Sequence, residues 1–361
     1  MALDKTLEID GALGEGGGAI LRIAAGFSVL FKQPIRINNI RANRPKPGLR
    51  LQHLLGLRTL SKLTSSELSE CQVGTQNLTL NPKQSVNSNI DVNITTAANI
   101  GLLLQPIQIA SLGFKKFEKI KITINGGGTF GKWAPSLNYL KYVTYNIFGN
   151  HGFAVDIDIQ KHGFYPKGGA VAICTINPPK NELKSLNLTE LGFIDLIQGE
   201  IICTNHLINK KICERIKKTL ILNINKNLGT DVKINYKYVN SLSPGVGLSL
   251  WANSDTGAII STGTILGERN ITSEDLGRFA ADKISTYIKN KIPVDNYLSD
   301  QLIPFMGFIE APSSIKVLEV TNHTKTNLEL IKLFLQRDYQ IKKEKTHFII
   351  ELEKFENKTY K

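Results

Sequence analysis

"IKVLEVTNHTKTNLELIKLFL", Ile315 to Leu335, changes its pattern twice. Ile315–Val320 is rich in β-branched and apolar residues, Thr321–Asn327 is polar throughout, and Leu328, Ile331, Leu333 and Leu335 recur at helical spacing. The stretch reads as strand, turn and helix, with Thr326 or Asn327 expected to cap the helix. His323, one of only six histidines, falls in the turn. A helix N-terminus there offers N–H groups and a partial positive charge to a phosphate. A neutral imidazole beside it could attack phosphorus and form a phosphoramidate. The plain alternative is a solvent-facing turn histidine.

The same strand–helix order recurs outward from this point. Strands are expected at Leu7–Asp10, Pro34–Ile40 and Leu78–Leu80, with helices through Ile20–Leu30 and Gly48–Leu63. A second pass gives a strand at Ile90–Ile94, a helix at Ala97–Ala110, a strand at Ile120–Ile124, a helix at Pro135–Phe148, and strands at Ala154–Ile159 and Gly169–Ile176. A third runs from about Glu274 and carries the helix after His323, with strands near Tyr339–Lys342 and Phe348–Leu352. Between the second and third passes, 185–273 breaks the rhythm and reads as an inserted α/β domain, polar at both edges. The chain is therefore expected to be α+β. It divides into 1–184 and 274–361, built from repeated two-helix units, and the insertion.

A chain of 361 residues with 42% hydrophobic content buries a sizeable core. It has no run of about 18 apolar residues, which disfavours a membrane span, and no secretory pattern at its start. Cys71, Cys174, Cys203 and Cys213 are scattered and read as buried thiols of a cytoplasmic protein. Lys and Arg number 44 against 31 Asp and Glu, a net +13. That excess favours a polyanionic partner, nucleic acid above all, although a lysine-rich codon bias gives the same balance.

Several loops are candidates for chemistry. "DGALGEGGGAILR" (Asp10–Arg22) is a strand–glycine–helix junction whose backbone can approach an anion. It is not a P-loop, and Glu15 would repel a phosphate unless a Mg²⁺ ion lay between them. A plain tight turn is the alternative. "RANRPKPGLRLQH" (Arg41–His53) gathers Arg41, Arg44, Lys46 and Arg50, as a phosphate site or as a solvated basic loop. "GGGTFGKWAP" (Gly126–Pro135) and "KHGFYPKGGA" (Lys161–Ala170) interleave aromatic and basic residues, a composition that suits single-stranded nucleic acid and also ordinary hairpins. His53 and His162 read as structural. Tyr236 and Trp251 are expected in the core of the insert, with RNA contacts as the alternative.

In order along the chain, "DGALGEGGGAILR", "RANRPKPGLRLQH", "LLLQ" ending at Gln105, "HGFYPKGG", "YLSDQL" and "HTKTN" resemble the RNA 3'-terminal phosphate cyclase family. The resemblance implies a large domain of three repeats of a two-helix, four-stranded unit, with a smaller α/β domain inserted before the third. It implies ATP-dependent conversion of an RNA 3'-phosphate to a 2',3'-cyclic phosphodiester, through a histidine–AMP intermediate, with Mg²⁺ or Mn²⁺. By position, His323 matches the nucleophile. Gln105 and Tyr297, Leu298, Ser299, Asp300 and Gln301 match the nucleotide pocket, with Asp300 able to orient the imidazole. Glu15 matches a position near metal and triphosphate. Arg22, Arg41, Arg44, Lys46, Gln52 and His53 match the phosphate and RNA path. The Gly126–Pro135 loop lacks an expected Asn or Asp after Gly-Gly-Thr, Asn138 stands where Asp is common, and Ser299 replaces Ala. A sister branch that assists ribosome assembly without catalysis lacks the histidine, and is the alternative that His323 argues against.

Overall fold

The computed structural model describes residues 6–14, 16–83 and 85–355. The first sheet comes from β1 (Leu7–Asp10), α1 (Gly18–Phe31), β2 (Ile35–Asn38), α2 (Leu51–Thr64), β3 (Glu67–Leu68) and β4 (Leu78–Asn81), with strand order β1-β2-β4-β3. β1 and β2 are parallel, while β4 is antiparallel to both β2 and β3. The second follows with β5 (Asn89–Asn99), α3 (Ile100–Ser111), β6 (Ile120–Gly128), a helical stretch, β7 (Ala154–Lys161) and β8 (Val171–Asn177). Its order is β5-β6-β8-β7, with the same sequence of parallel and antiparallel pairs. The helical stretch is α4 (Leu137–Tyr139), a π turn over Leu140–Thr144, and α5 (Tyr145–Asn150), in place of the single helix expected over Pro135–Phe148.

After β9 (Asn187–Leu188) the chain leaves to build a five-stranded sheet. This holds β10 (Leu196–Thr204), β11 (Asp231–Val239) after α6 (Ile212–Leu228), β12 (Val246–Asn253), β13 (Ile259–Ser261) and β14 (Ile265–Leu266). α7 (Ser273–Lys289) returns along α6 and packs on it. Then come α8 (Asn296–Phe308), β15 (Ser313–Val317), α9 (Asn322–Leu335), β16 (Tyr339–Lys343) and β17 (Phe348–Leu352). The sheet order β16-β17-β15-β9 closes on the strand left behind. Counted from β9, strand order and senses repeat those of the first two sheets.

α1 is apolar on every side and buried from Ala19 to Phe31, as a helix is when neighbours surround it. Against α3 the backbones approach so closely that a Cβ at Gly26 would lie 2.8 Å from Ile109 Cβ. On another face Phe27 meets Phe334 of α9 edge to face at 5.5 Å. The one strongly polar side chain on this helix is Arg22.

Local chemistry moved several boundaries. The strand expected over Ile315–Val320 begins at Ser313 and ends where Val317 pairs with Phe348. α9 starts before the expected Thr326 or Asn327 cap, because Thr321 Oγ1 accepts the Thr324 N–H at 2.9 Å. Thr326 instead donates to the Asn322 carbonyl inside the helix. β2 stops at Asn38 because Asn39 and Arg41 adopt left-handed φ angles of 54° and 57°. Cys71 is half-buried, unlike the other three thiols. Trp251 is core and stacks on Tyr142 at 4.4 Å. Tyr236, expected in the core, is 39% exposed on edge strand β11 with Lys217 over its ring at 5.7 Å. Among the described residues no helix is long and apolar enough to cross a membrane.

A buried arginine ties off the end of the chain. Arg337 donates to the carbonyls of Met306 (2.9 Å) and Ile309 (2.7 Å) at the end of α8, and to Glu353 beyond β17 (2.9 Å). Burial lowers its pKa to about 10, so it remains charged at neutral pH. Arg337→Met would strand those carbonyls and is expected to cost about 3 kcal/mol, read as a lower urea midpoint with unchanged m-value. A loss below about 0.5 kcal/mol would show that water replaces the guanidinium freely.

Candidate active site

Where α1, α3, α8 and α9 converge on the loop before α4, they enclose a cavity of about 330 Å³. Arg22, Gln105, Tyr297, Asp300, Gln301 and His323 all line it. Arg22 Nε donates to Gln105 Oε1 at 2.9 Å, which fixes the guanidinium and leaves the Gln105 amide nitrogen as the donor end. Burial first, then Arg41, lowers the Arg22 pKa to about 10. The cation therefore persists in a poorly solvated position, where an anion would relieve it.

His323 lies half-buried in the first turn of α9. That turn is lashed to α8: Asp300 Oδ1 accepts the hydroxyls of Thr321 at 2.5 Å and Thr324 at 2.8 Å, and Asn327 Nδ2 donates to the Asp300 carbonyl at 2.9 Å. Ser299 Oγ also contacts Thr324 Oγ1 at 3.1 Å. Asp300 thus positions the turn that carries His323.

A second cluster surrounds the start of α1. A Cβ at Gly18 would collide with His53 Nε2 and Arg22 Nη1, and one at Gly17 would lie 3.3 Å from Arg44 Nη2. Arg22 thereby belongs to both clusters. His53 Nδ1 accepts the Arg50 N–H at 3.2 Å, so the neutral ring carries its proton on Nε2 and donates toward α1. Burial, reinforced by Arg22, Arg41 and Arg50, lowers the His53 pKa to about 3. Below about pH 6.5 the unfolded imidazole takes up a proton that the folded one refuses, so this group costs stability on acidification. Arg41 donates to the Lys46 carbonyl at 3.4 Å and is itself lowered in pKa by burial and by Arg44 and Arg50.

Other expected residues sit elsewhere. Leu298 is fully buried apolar core and Ser299 serves the α8–α9 contact, so neither faces the cavity. Consecutive residues of a helix point in different directions, and only Tyr297, Asp300 and Gln301 of this run share the cavity side. Lys46 is exposed and Gln52 half-buried, and neither lines the cavity. Glu15 lies outside the described residues. Sequence reasoning missed Lys283, whose Nζ lies 4.6 Å from the Tyr297 ring centroid, and Pro135 and Asn327 in the lining. It also missed Asp295, although an aspartate just before "NYLSDQ" has the cap signature.

A family model described as RNA 3'-terminal phosphate cyclase matches residues 13–341. The chain belongs to the RNA 3'-terminal phosphate cyclase family. Relatives bearing that name include one from Pyrococcus abyssi, 37% identical over 93% of this chain and 95% of the relative. One from Thermococcus onnurineus is 36% identical over 93% and 95%. Another from Pyrobaculum aerophilum is 34% identical over 96% and 98%.

In this member of the cyclase family, a buried carboxyl underlies the site. Asp295 caps α8 by accepting the N–H groups of Tyr297 and Leu298, both at 3.0 Å, and it takes the Tyr139 hydroxyl at 3.0 Å. Burial raises its pKa to about 6 against these favourable contacts. Between about pH 4 and 6 the unfolded carboxyl ionises while the folded one stays protonated. Stability therefore falls across that window, by on the order of 3 kcal/mol in total, and stays lower above it. Asp295→Asn keeps the cap and the acceptor without the charge. It is expected to raise the urea midpoint at pH 7.5, with the gain shrinking toward pH 4. A variant less stable than the parent at pH 7.5 would contradict this account.

Proposed function

We propose that the protein uses ATP to convert an RNA 3'-terminal phosphate to a 2',3'-cyclic phosphodiester, with His323 carrying AMP. The observation that bears the reading is that His323 and the Arg22–Gln105 pair line one cavity, which Arg22 connects to the basic start of α1. Family membership supplies the reaction class.

In the first step a ring nitrogen of His323 attacks the α-phosphorus of ATP. The N–P bond forms, the bond to the β-phosphate oxygen breaks, and pyrophosphate leaves with the electron pair. Arg22 faces the charge that develops on the transferring group, and rigid donors of this kind are worth about 3 kcal/mol in other enzymes. The base of AMP then rests on the wall formed by Tyr297 and Pro135, and Gln105 and Gln301 offer polar contacts to the nucleoside. An oxygen of the RNA 3'-phosphate next attacks the same phosphorus and frees the imidazole. The resulting anhydride activates the RNA end, because AMP is a far better leaving group than oxide. The neighbouring 2'-hydroxyl loses its proton, attacks the terminal phosphorus, and expels AMP. Arg41, Arg44, Lys46, Gln52 and His53 serve as the phosphate and RNA path.

Among the described residues no group of three His, Cys, Asp or Glu side chains could hold a metal ion. By the family resemblance, Glu15 would hold a Mg²⁺ or Mn²⁺ ion, which would neutralise phosphate charge when bound. We further propose that the three like-ordered sheets are repeats of one two-helix, four-stranded unit. The five-stranded sheet is then the insertion within the expected 185–273, entered after β9, with α7 packing on it. A reducing cytoplasm fits the four free thiols.

The test is cyclisation itself. With ATP, the wild type is expected to turn a 3'-phosphorylated oligonucleotide into a phosphatase-resistant cyclic end. His323→Ala should lower that rate by on the order of 10³-fold or more while still binding the RNA. Salt-sensitive RNA binding with no cyclisation by either protein would favour the assembly-factor reading. Activation of a 5'-phosphorylated end instead would assign the chemistry to the other terminus.

A further inference from the structure

On the other side of Tyr297 and Pro135 lies a second, larger space of about 530 Å³. Trp133, Lys283, Tyr297 and Pro135 line both. The far bank belongs to the segment after β14, with Ile271, and to α7, with Phe279. Three of its aromatic side chains are open, with Trp133 89% exposed, Phe279 56% and Tyr297 42%, while Tyr139 is buried. Trp133 also holds a left-handed φ of 59°, a conformation that a bulky residue adopts only at a cost. Open rings converging on one groove mark a binding surface rather than a core.

We propose that this groove seats a nucleobase of the RNA 3' end by stacking, next to the bound adenylate. The inference rests on the cyclase reading and names a substrate contact that reading lacks. The groove and the cavity of His323 share Trp133, Pro135, Lys283 and Tyr297, so a base held here lies next to the reaction site. Charge agrees. The groove's two carboxylates are already engaged, Glu268 with Lys132 at 2.9 Å and Asp275 with Arg278 at 2.8 Å and the Thr272 hydroxyl at 2.7 Å. Cations ride over the rings, Lys132 at 5.2 Å from Trp133 and Lys283 at 5.8 Å from Phe279, and Lys283 can also meet a backbone phosphate. Every base has a π face, so such a site grips without strong sequence preference.

The test combines base removal with removal of a ring. Affinity for 3'-phosphorylated oligonucleotides is measured by anisotropy, with one base at a time deleted from the last three positions. For the wild type, deletion at one of these positions should weaken binding roughly tenfold. Phe279→Ala should weaken the intact oligonucleotide to a similar extent and make it insensitive to that deletion, while Phe279→Tyr restores the difference. Phe279 is exposed, so its truncation spares the core. Wild-type indifference to base removal, or additive losses in the variant, would overturn the proposal. So would a loss in Phe279→Ala confined to AMP transfer from ATP in the absence of RNA, which would place the nucleotide's own base in the groove. Base-dependent binding without any cyclic product would instead defeat the reaction assignment and leave the groove standing.

Discussion

The carboxylate of Asp300 fixes where α9 begins, and the site depends on that. By drawing in the hydroxyls of Thr321 and Thr324, it joins the first turn of α9 to α8, from which Tyr297 and Gln301 also project. Without this knot His323 would sit on a fraying helix end. With it, the imidazole is held against a wall whose other members come from α1 and α3, far away in sequence. In the chemistry proposed for His323, precision of this kind matters because small misplacement of a nucleophile costs orders of magnitude in rate.

α1 makes the convergence possible. Its glycine at position 26 lets α3 approach, and its aromatic face receives α9, so both pack against one buried helix. The same helix carries Arg22 into a place where charge is poorly solvated, and begins at glycines that admit His53 and Arg44 close to its N–H groups. The resulting positive potential is cheap only when an anion is bound. His53 stays neutral in this company because burial and three arginines oppose its protonation. It can therefore donate one hydrogen bond without adding another positive charge.

The order of strands and helices was largely legible because the strand and helix periods alternate along the chain. What failed was end chemistry. Thr321 outcompeted Thr326 as a cap through its bond to Thr324, and Asn39 and Arg41 ended β2 by taking left-handed conformations that no pattern announces. Of the residues that the motifs singled out, Arg22, Gln105, Tyr297, Asp300, Gln301 and His323 line one cavity. A contiguous motif overstates the site, however, because a helix turns Leu298 and Ser299 away from the side that Tyr297 and Asp300 share. Lys283 left no trace in the sequence, being one of two lysines on an amphipathic helix whose partner surface is set only by tertiary packing.

Lys283 also makes the decisive measurement possible, since it places a second nitrogen nucleophile beside the same cavity. Protein incubated with ATP and a divalent cation, digested under mildly alkaline conditions and sequenced by tandem mass spectrometry would locate the AMP adduct. The account predicts it on His323 alone, and discharged by RNA bearing a 3'-phosphate. An adduct on Lys283, or none under conditions where cyclic ends form, would contradict it.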